Sequence, residues 1–132
     1  MRRRQIPLLA ASLSLAAVRR ADAQTWPGSR PIRIVVVFPP GGSSDIVARV
    51  LAEELAPRLG GRVVVDNKPG AGGTIGAAEV ARAAPDGYTL LLSNTAPITT
   101  SPPIYASPGY DPVQSFAHIA YIGATPNVVV VR

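Results

Sequence analysis

The chain has 132 residues, of which 47% are hydrophobic and 16% charged, and it contains no cysteine. That length suits one domain and that composition excludes a disordered chain, while the missing cysteine excludes disulfides, thiolate chemistry and cysteine-based metal sites. The net charge of +5 is concentrated at the start: Arg2, Arg3, Arg4, Arg19 and Arg20 precede residue 24 with Asp22 as their only acid, so the remainder stands at +1 and a polyanion-binding surface is excluded.

Residues 1–23 have the layout of an export signal. A basic start at Arg2 to Arg4 is followed by an apolar stretch from Ile6 to Val18 and then by Ala21-Asp22-Ala23. The stretch is about 13 residues, short of the roughly 20 that a spanning helix needs. Cleavage is expected after Ala23, giving a soluble periplasmic chain from Gln24. The adjacent arginines leave the general secretory and twin-arginine routes both open.

Residues 24–132 read as a repeating strand and helix pattern. Ile32 to Phe38 is apolar on both faces, as a central parallel strand requires. Pro39-Pro40-Gly41-Gly42 stops it. Ser43 and Ser44 then suit the cap of a helix whose Ile46, Val47, Val50, Leu51, Leu55 and Leu59 form one stripe, with Pro57 expected to kink or shorten its last turn and Gly60-Gly61 to end it. The cycle repeats with a strand over Arg62 to Asp66, a glycine-rich loop, a helix from Thr74 to Ala83, the turn Pro85-Asp86-Gly87 and a third strand over Tyr88 to Ser93. This is a βαβαβ unit, an α/β fold with a mostly parallel sheet and helices on its faces. Further on, Ile98 to Tyr105 has room for a helical turn or two, and Ala117 to Ile122 and Asn127 to Val131 are strand candidates. The last of these runs into Arg132, as in a sequence that stops inside a larger protein.

Three loops are expected at the carboxyl edge of the sheet: Phe38 to Asp45, Asn67 to Thr74 and Ser93 to Ala96. Glycines there let backbone N–H groups approach a ligand, and the helices starting near Ser44 and Thr74 aim their positive ends at the same edge. An anion is the natural guest, and the neutral hydrogen-bonding groups of Ser43, Ser44, Thr74, Asn94 and Thr95 suit a carboxylate better than a phosphate. The alternative is that these are ordinary strand-to-helix turns. The nucleotide fingerprints fail, because Gly70-Ala71-Gly72-Gly73-Thr74-Ile75 has Ile where the last glycine is needed and no Walker sequence occurs. Asp45 has two readings, a cap for the helix dipole or a contact to an amino or hydroxyl group of the ligand. His118, the only histidine, has no partner at metal spacing and reads as a structural or surface residue. No acid–base pair or nucleophile–histidine arrangement is apparent, and no cofactor is expected.

Five motifs, taken in order, resemble one family: Trp26-Pro27 with Arg30-Pro31-Ile32-Arg33, Phe38-Pro39-Pro40-Gly41-Gly42-Ser43-Ser44-Asp45, Asn67-Lys68-Pro69-Gly70-Ala71-Gly72-Gly73, Pro85-Asp86-Gly87-Tyr88-Thr89-Leu90 and Tyr110-Asp111-Pro112. They are similar to the Bug family, the TctC-like periplasmic receptors of tripartite tricarboxylate transporters. The resemblance implies a type 2 periplasmic-binding-protein fold, here a partial first domain with the second domain absent. It also implies a monomeric solute receptor that takes a small organic carboxylate and passes it to a membrane permease. On matching positions it carries ligand binding to Phe38, Gly41, Gly42, Ser43, Ser44 and Asp45 in the first loop and to Gly70, Ala71, Gly72, Gly73 and Thr74 in the second, with Asn94 and Thr95 in a more variable third loop. Two other readings stay open: an α/β enzyme domain acting on a phosphorylated or acyl substrate, and an inactive truncated remnant of the receptor.

Overall fold

The computed structural model describes residues 26–124 and residue 130. The expected export signal and most of the strand expected over 127–131 lie outside these residues. The described chain contains β1 (Ile32–Val36), α1 (Ser43–Leu59), β2 (Val63–Asn67), a 3-10 turn (Ala71–Gly73), α2 (Thr74–Ala81), β3 (Thr89–Leu92) and one π-helical turn (Ala96–Thr100).

The strands form a parallel three-stranded sheet in the order β2-β1-β3, so the strand that is apolar on both faces takes the centre. In register, Ile34 lies beside Val65 and Leu90, and Val36 beside Asn67 and Leu92. One face of the sheet carries Ile34, Val36, Val65, Leu90 and Leu92 against Ala48, Ala52, Val47 and Leu51 of α1. On the other face Val35 and Val37 are fully buried on the side of α2, whose Ala77 and Ala78 are also buried. Arg33 shares that second face and is held by Asp66 at 2.9 Å and Glu79 at 2.7 Å, which joins β1, β2 and α2 at the rim of the core.

The expected βαβαβ unit is present, with shifted ends. β1 stops at Val36 because Lys68 N–H closes the ladder on Val36 O at 2.8 Å, and Pro39 and Pro40 bring no N–H to continue it. β2 correspondingly runs on to Asn67. Ser43 and Ser44 are not caps: Gly42 is the N-cap, and both serines stand in the first helical turn. Pro57 does not shorten α1, which continues to Leu59; a proline one turn from the end forfeits a single hydrogen bond, and Gly60 and Gly61 N–H both close on Ala56 O. α2 ends at Ala81, where Ala83 N–H tightens onto Val80 O at 3.0 Å. Ala117 to Ile122 forms no strand. A strand needs a ladder partner and a face to bury, and Ile119 and Tyr121 are 80% and 81% exposed.

The Trp26-Pro27 and Pro85-Asp86-Gly87-Tyr88 motifs meet at the opposite, amino-terminal end of the strands. Tyr88 OH donates to Pro27 O at 2.9 Å, Trp26 and Tyr88 rings stand 5.9 Å apart, and Arg30 bridges Asp86 at 2.6 Å while lying 4.1 Å over the Tyr88 ring. These motifs brace the sheet and leave its carboxyl edge clear.

Candidate functional site

The chain leaves β1 through a turn in which Pro39 and Pro40 have no main-chain N–H to donate, while Gly41 and Gly42 after them do. Gly41 N–H donates to Asp45 Oδ2 at 2.9 Å. Asp45, only 3% exposed, stands in the first turn of α1 and accepts three further bonds: from Arg49 Nε at 2.9 Å and Arg49 Nη2 at 3.0 Å in a fork, and from Asn67 Nδ2 at 3.0 Å. The second hydrogen of Asn67 Nδ2 goes to Phe38 O at 3.0 Å. Arg49, then the Gly41 N–H and, more weakly, Asn67 hold the Asp45 carboxyl down at about 2 from its ordinary 3.8, against an opposing push from burial. With its lone pairs occupied, Asp45 organises the turn and has none left over for a guest. Asp45 accepts no main-chain N–H of α1 and so does not cap the helix, although its charge stands in the first turn at the positive end of the dipole.

In front of that turn lies a cleft of about 330 Å³ lined by Phe38, Pro39, Pro40, Gly42, Ser43, Ser44 and Asn94. Its volume falls in the range of small-molecule sites, roughly 300–1,000 Å³. No side chain caps α1, and its first intrahelical bond runs from Ile46 N–H to Gly42 O at 3.0 Å. The N–H groups ahead of it, in Ser43 and Ser44, therefore stand at the cleft without intrahelical partners, at the positive end of a 17-residue helix. Asn94 accepts Ala96 N–H on Oδ1 at 2.8 Å, which orients its amide and leaves the NH₂ to face a guest. The arrangement offers hydrogen-bond donors and a helix dipole, the chemistry that holds an anion.

The second loop is placed differently from the first. Gly70, Ala71, Gly72, Gly73 and Thr74 do not line the cleft, nor do Gly41, Asp45 and Thr95. Thr74 is 5% exposed and its hydroxyl donates to Ala71 O at 2.9 Å. Gly72 has φ +62°, its carbonyl accepts the Ser101 hydroxyl at 3.0 Å, and a Cβ added there would run into Ser101 Oγ. A Cβ at Gly73 would come within 3.0 Å of Val37 Cγ2 and 3.2 Å of Pro97 Cγ. These glycines pack the second loop against β1 and the π-helical turn.

Pro39 and Pro40 in the lining, and Asn67 and Arg49 on Asp45 behind it, are not among the site residues that the sequence suggests. Asn67 carried a signal: an amide ending an otherwise apolar parallel strand is out of keeping with strand preference unless its side chain has a fixed partner. His118 is exposed, as expected of a surface residue. Among the described residues no group of histidine, cysteine, aspartate or glutamate is placed to hold a metal ion, and no helix is long and apolar enough to cross a membrane.

A parallel α/β unit with a helix amino terminus opening on a cleft at its carboxyl edge is an arrangement shared with solute-binding proteins, and the solved structures that this chain resembles are of that class. The periplasmic binding protein BugD is 55% identical with a TM-score of 0.63, the match covering 66% of this chain and 29% of that one. MatC from Rhodopseudomonas palustris with bound malate is 38% identical with a TM-score of 0.62, covering 66% and 30%, and an R. palustris protein with adipate has the same identity and TM-score, also covering 66% of this chain and 29% of its own. Residues 47–132 match the tripartite tricarboxylate transporter family receptor, TctC, and the chain belongs to that family. Protein BugT of Bordetella pertussis is 44% identical over 126 residues, which are 95% of this chain and 38% of BugT. The chain thus spans less than half the length of the relatives it matches. The family and its solved members are solute receptors, which removes the α/β enzyme reading.

Proposed function

We propose that this chain forms one wall of the binding cleft of a periplasmic receptor for small organic carboxylates, which a tripartite transporter permease receives from it. One observation carries this reading: the uncapped amino terminus of α1, with Gly42, Ser43 and Ser44, opens on a cleft that Asn94 lines from the third loop, after β3. A guest carboxylate would accept the Ser43 and Ser44 N–H groups and hydroxyls, with the dipole of α1 behind them. The malate and adipate in the two R. palustris proteins support the substrate class. The receptor acts as a monomer after cleavage behind Ala23. Amino-terminal sequencing of the periplasmic fraction is expected to begin at Gln24, and a chain retaining Arg2 to Arg20 would contradict export by this signal.

The test of the site is a titration followed by amide NMR. Malate and adipate are expected to shift the amide signals of Gly42, Ser43, Ser44 and Asn94, and the uncharged diamide of malate is expected not to. Equal shifts with the diamide, or shifts confined to other parts of the chain, would sink the carboxylate reading.

A further inference from the structure

The turn that walls the cleft has an unusual support. Among the described residues, no main-chain to main-chain hydrogen bond outside the strands and helices involves residues 38–41. What fixes the turn is a pair of side chains from outside it. Asn67 holds Phe38 O at the exit of β1, Asp45 holds Gly41 N–H on the far side of the two prolines, and Asn67 and Asp45 are bonded to each other. Asn67 is the last residue of β2 and is registered beside Val36, so its backbone is anchored in the sheet.

We propose that Asn67 is a positioning residue of the cleft: its amide ties the strand exit to α1 and so sets where Gly42, Ser43 and Ser44 stand. This rests on the reading of the cleft as a carboxylate site. The chemistry at position 67 is restrictive. Both partners of Nδ2 are oxygen acceptors, so the task needs two N–H donors on one atom at the reach of a short side chain. Aspartate has the shape and no donors, and it would set a second carboxylate against Asp45. Leucine has a comparable volume and no donors. Asn67 donates nothing to the guest in this arrangement; it acts through the turn.

The experiment compares the chain with Asn67→Leu and Asn67→Asp, reading amide hydrogen exchange at Gly41 and the malate-induced shifts at Gly42 to Ser44. The sheet amides of Ile34 and Leu92 report whether the fold is intact. Loss of the bridge is expected to speed Gly41 exchange by about tenfold or more and to weaken the malate response by about tenfold, with the sheet amides unchanged and the Asp variant the more affected at neutral pH. Asn67→Ala, which removes both donors with less bulk, takes the place of a Leu variant that fails to fold. Gly41 exchange at the wild-type rate in every variant overturns the proposal, as does faster exchange with an unaltered malate response. A wild-type chain that answers neither malate nor adipate overturns the carboxylate reading instead, and the hold on the turn is then judged by Gly41 exchange alone.

Discussion

Asp45 is the residue whose charge the first turn of α1 depends on. Its folded pKa, about 2, lies below the 3.8 of an unpaired aspartate. A depressed folded pKa means that the ionised carboxylate is bound better in the native state than in the unfolded one. The corresponding stability is complete above about pH 4 and is lost as the pH falls towards 2. An acid titration followed by circular dichroism is expected to show this loss in the wild type and to lack that component in Asp45→Asn, which should be the less stable protein at neutral pH. The same stability in both proteins at neutral pH would show that the ionic form contributes nothing. The glycines divide in a parallel way. Gly42 has φ −76° and a Cβ there would sit 3.5 Å from Pro39 O, an ordinary contact, so Gly42→Val is expected to keep the fold and obstruct the cleft. Gly72, at φ +62° with Ser101 in the way, is expected to lose about 1 kcal/mol or more of stability as Gly72→Val. Thermal melts separate the two, and a Gly72→Val chain as stable as the wild type would contradict the packing role.

At the level of elements, the sequence disclosed what depends on period and punctuation. The continuous apolar run of β1 placed it centrally, the glycine and proline clusters placed the turns, and the alternation of strand and helix gave a parallel sheet. It disclosed less where packing geometry decides. α1 buries Asp45, Ala48 and Ala52, while Ile46 and Val50 of the expected stripe are 57% and 55% exposed. Small residues let a helix lie close to a sheet, and the larger side chains are then displaced to its flanks. The turn that lines the cleft was legible from its glycines and serines, but the hydrogen bonds of Asn67 to Phe38 O and Asp45 were not, because they depend on two acceptors distant in sequence. Ala117 to Ile122 has the composition of a strand, and composition does not supply a ladder partner. The central position of β1 has an energetic corollary: Ile34, 3% exposed between β2, β3 and α1, is expected to lose about 2–5 kcal/mol as Ile34→Ala. Denaturant unfolding measures this, and a loss below about 1 kcal/mol would mean that the core closes around the gap.

For the whole molecule the question is how much binding this chain supplies by itself. The cleft is lined by two loops only, and Pro39, Pro40, Gly42, Ser43 and Asn94 are all exposed, so a guest remains wet on its open side. A millimolar dissociation constant requires about −4.1 kcal/mol and a micromolar one about −8.2. The amino terminus of α1 contributes about 0.3–2 kcal/mol towards an anion. Each net hydrogen bond to a charged group adds about 1.5–3 kcal/mol. Two or three such contacts together with the helix terminus give roughly 4–10 kcal/mol, and subtracting the lost motion of the guest, about 4 kcal/mol or more, leaves about 0–6. Solvent on the open face weakens each of these contacts and takes the net to the lower part of that range, short of the roughly 4.1 kcal/mol that millimolar binding requires. Closure of a second wall would add opposing donors and exclude water. Malate is therefore expected to bind this chain with a dissociation constant weaker than about 1 mM, and to bind MatC, whose structure holds it and of which the match covers 30%, far more tightly. Parallel titrations of the two proteins decide this, and micromolar binding by the 132-residue chain would establish that the cleft is complete with one wall.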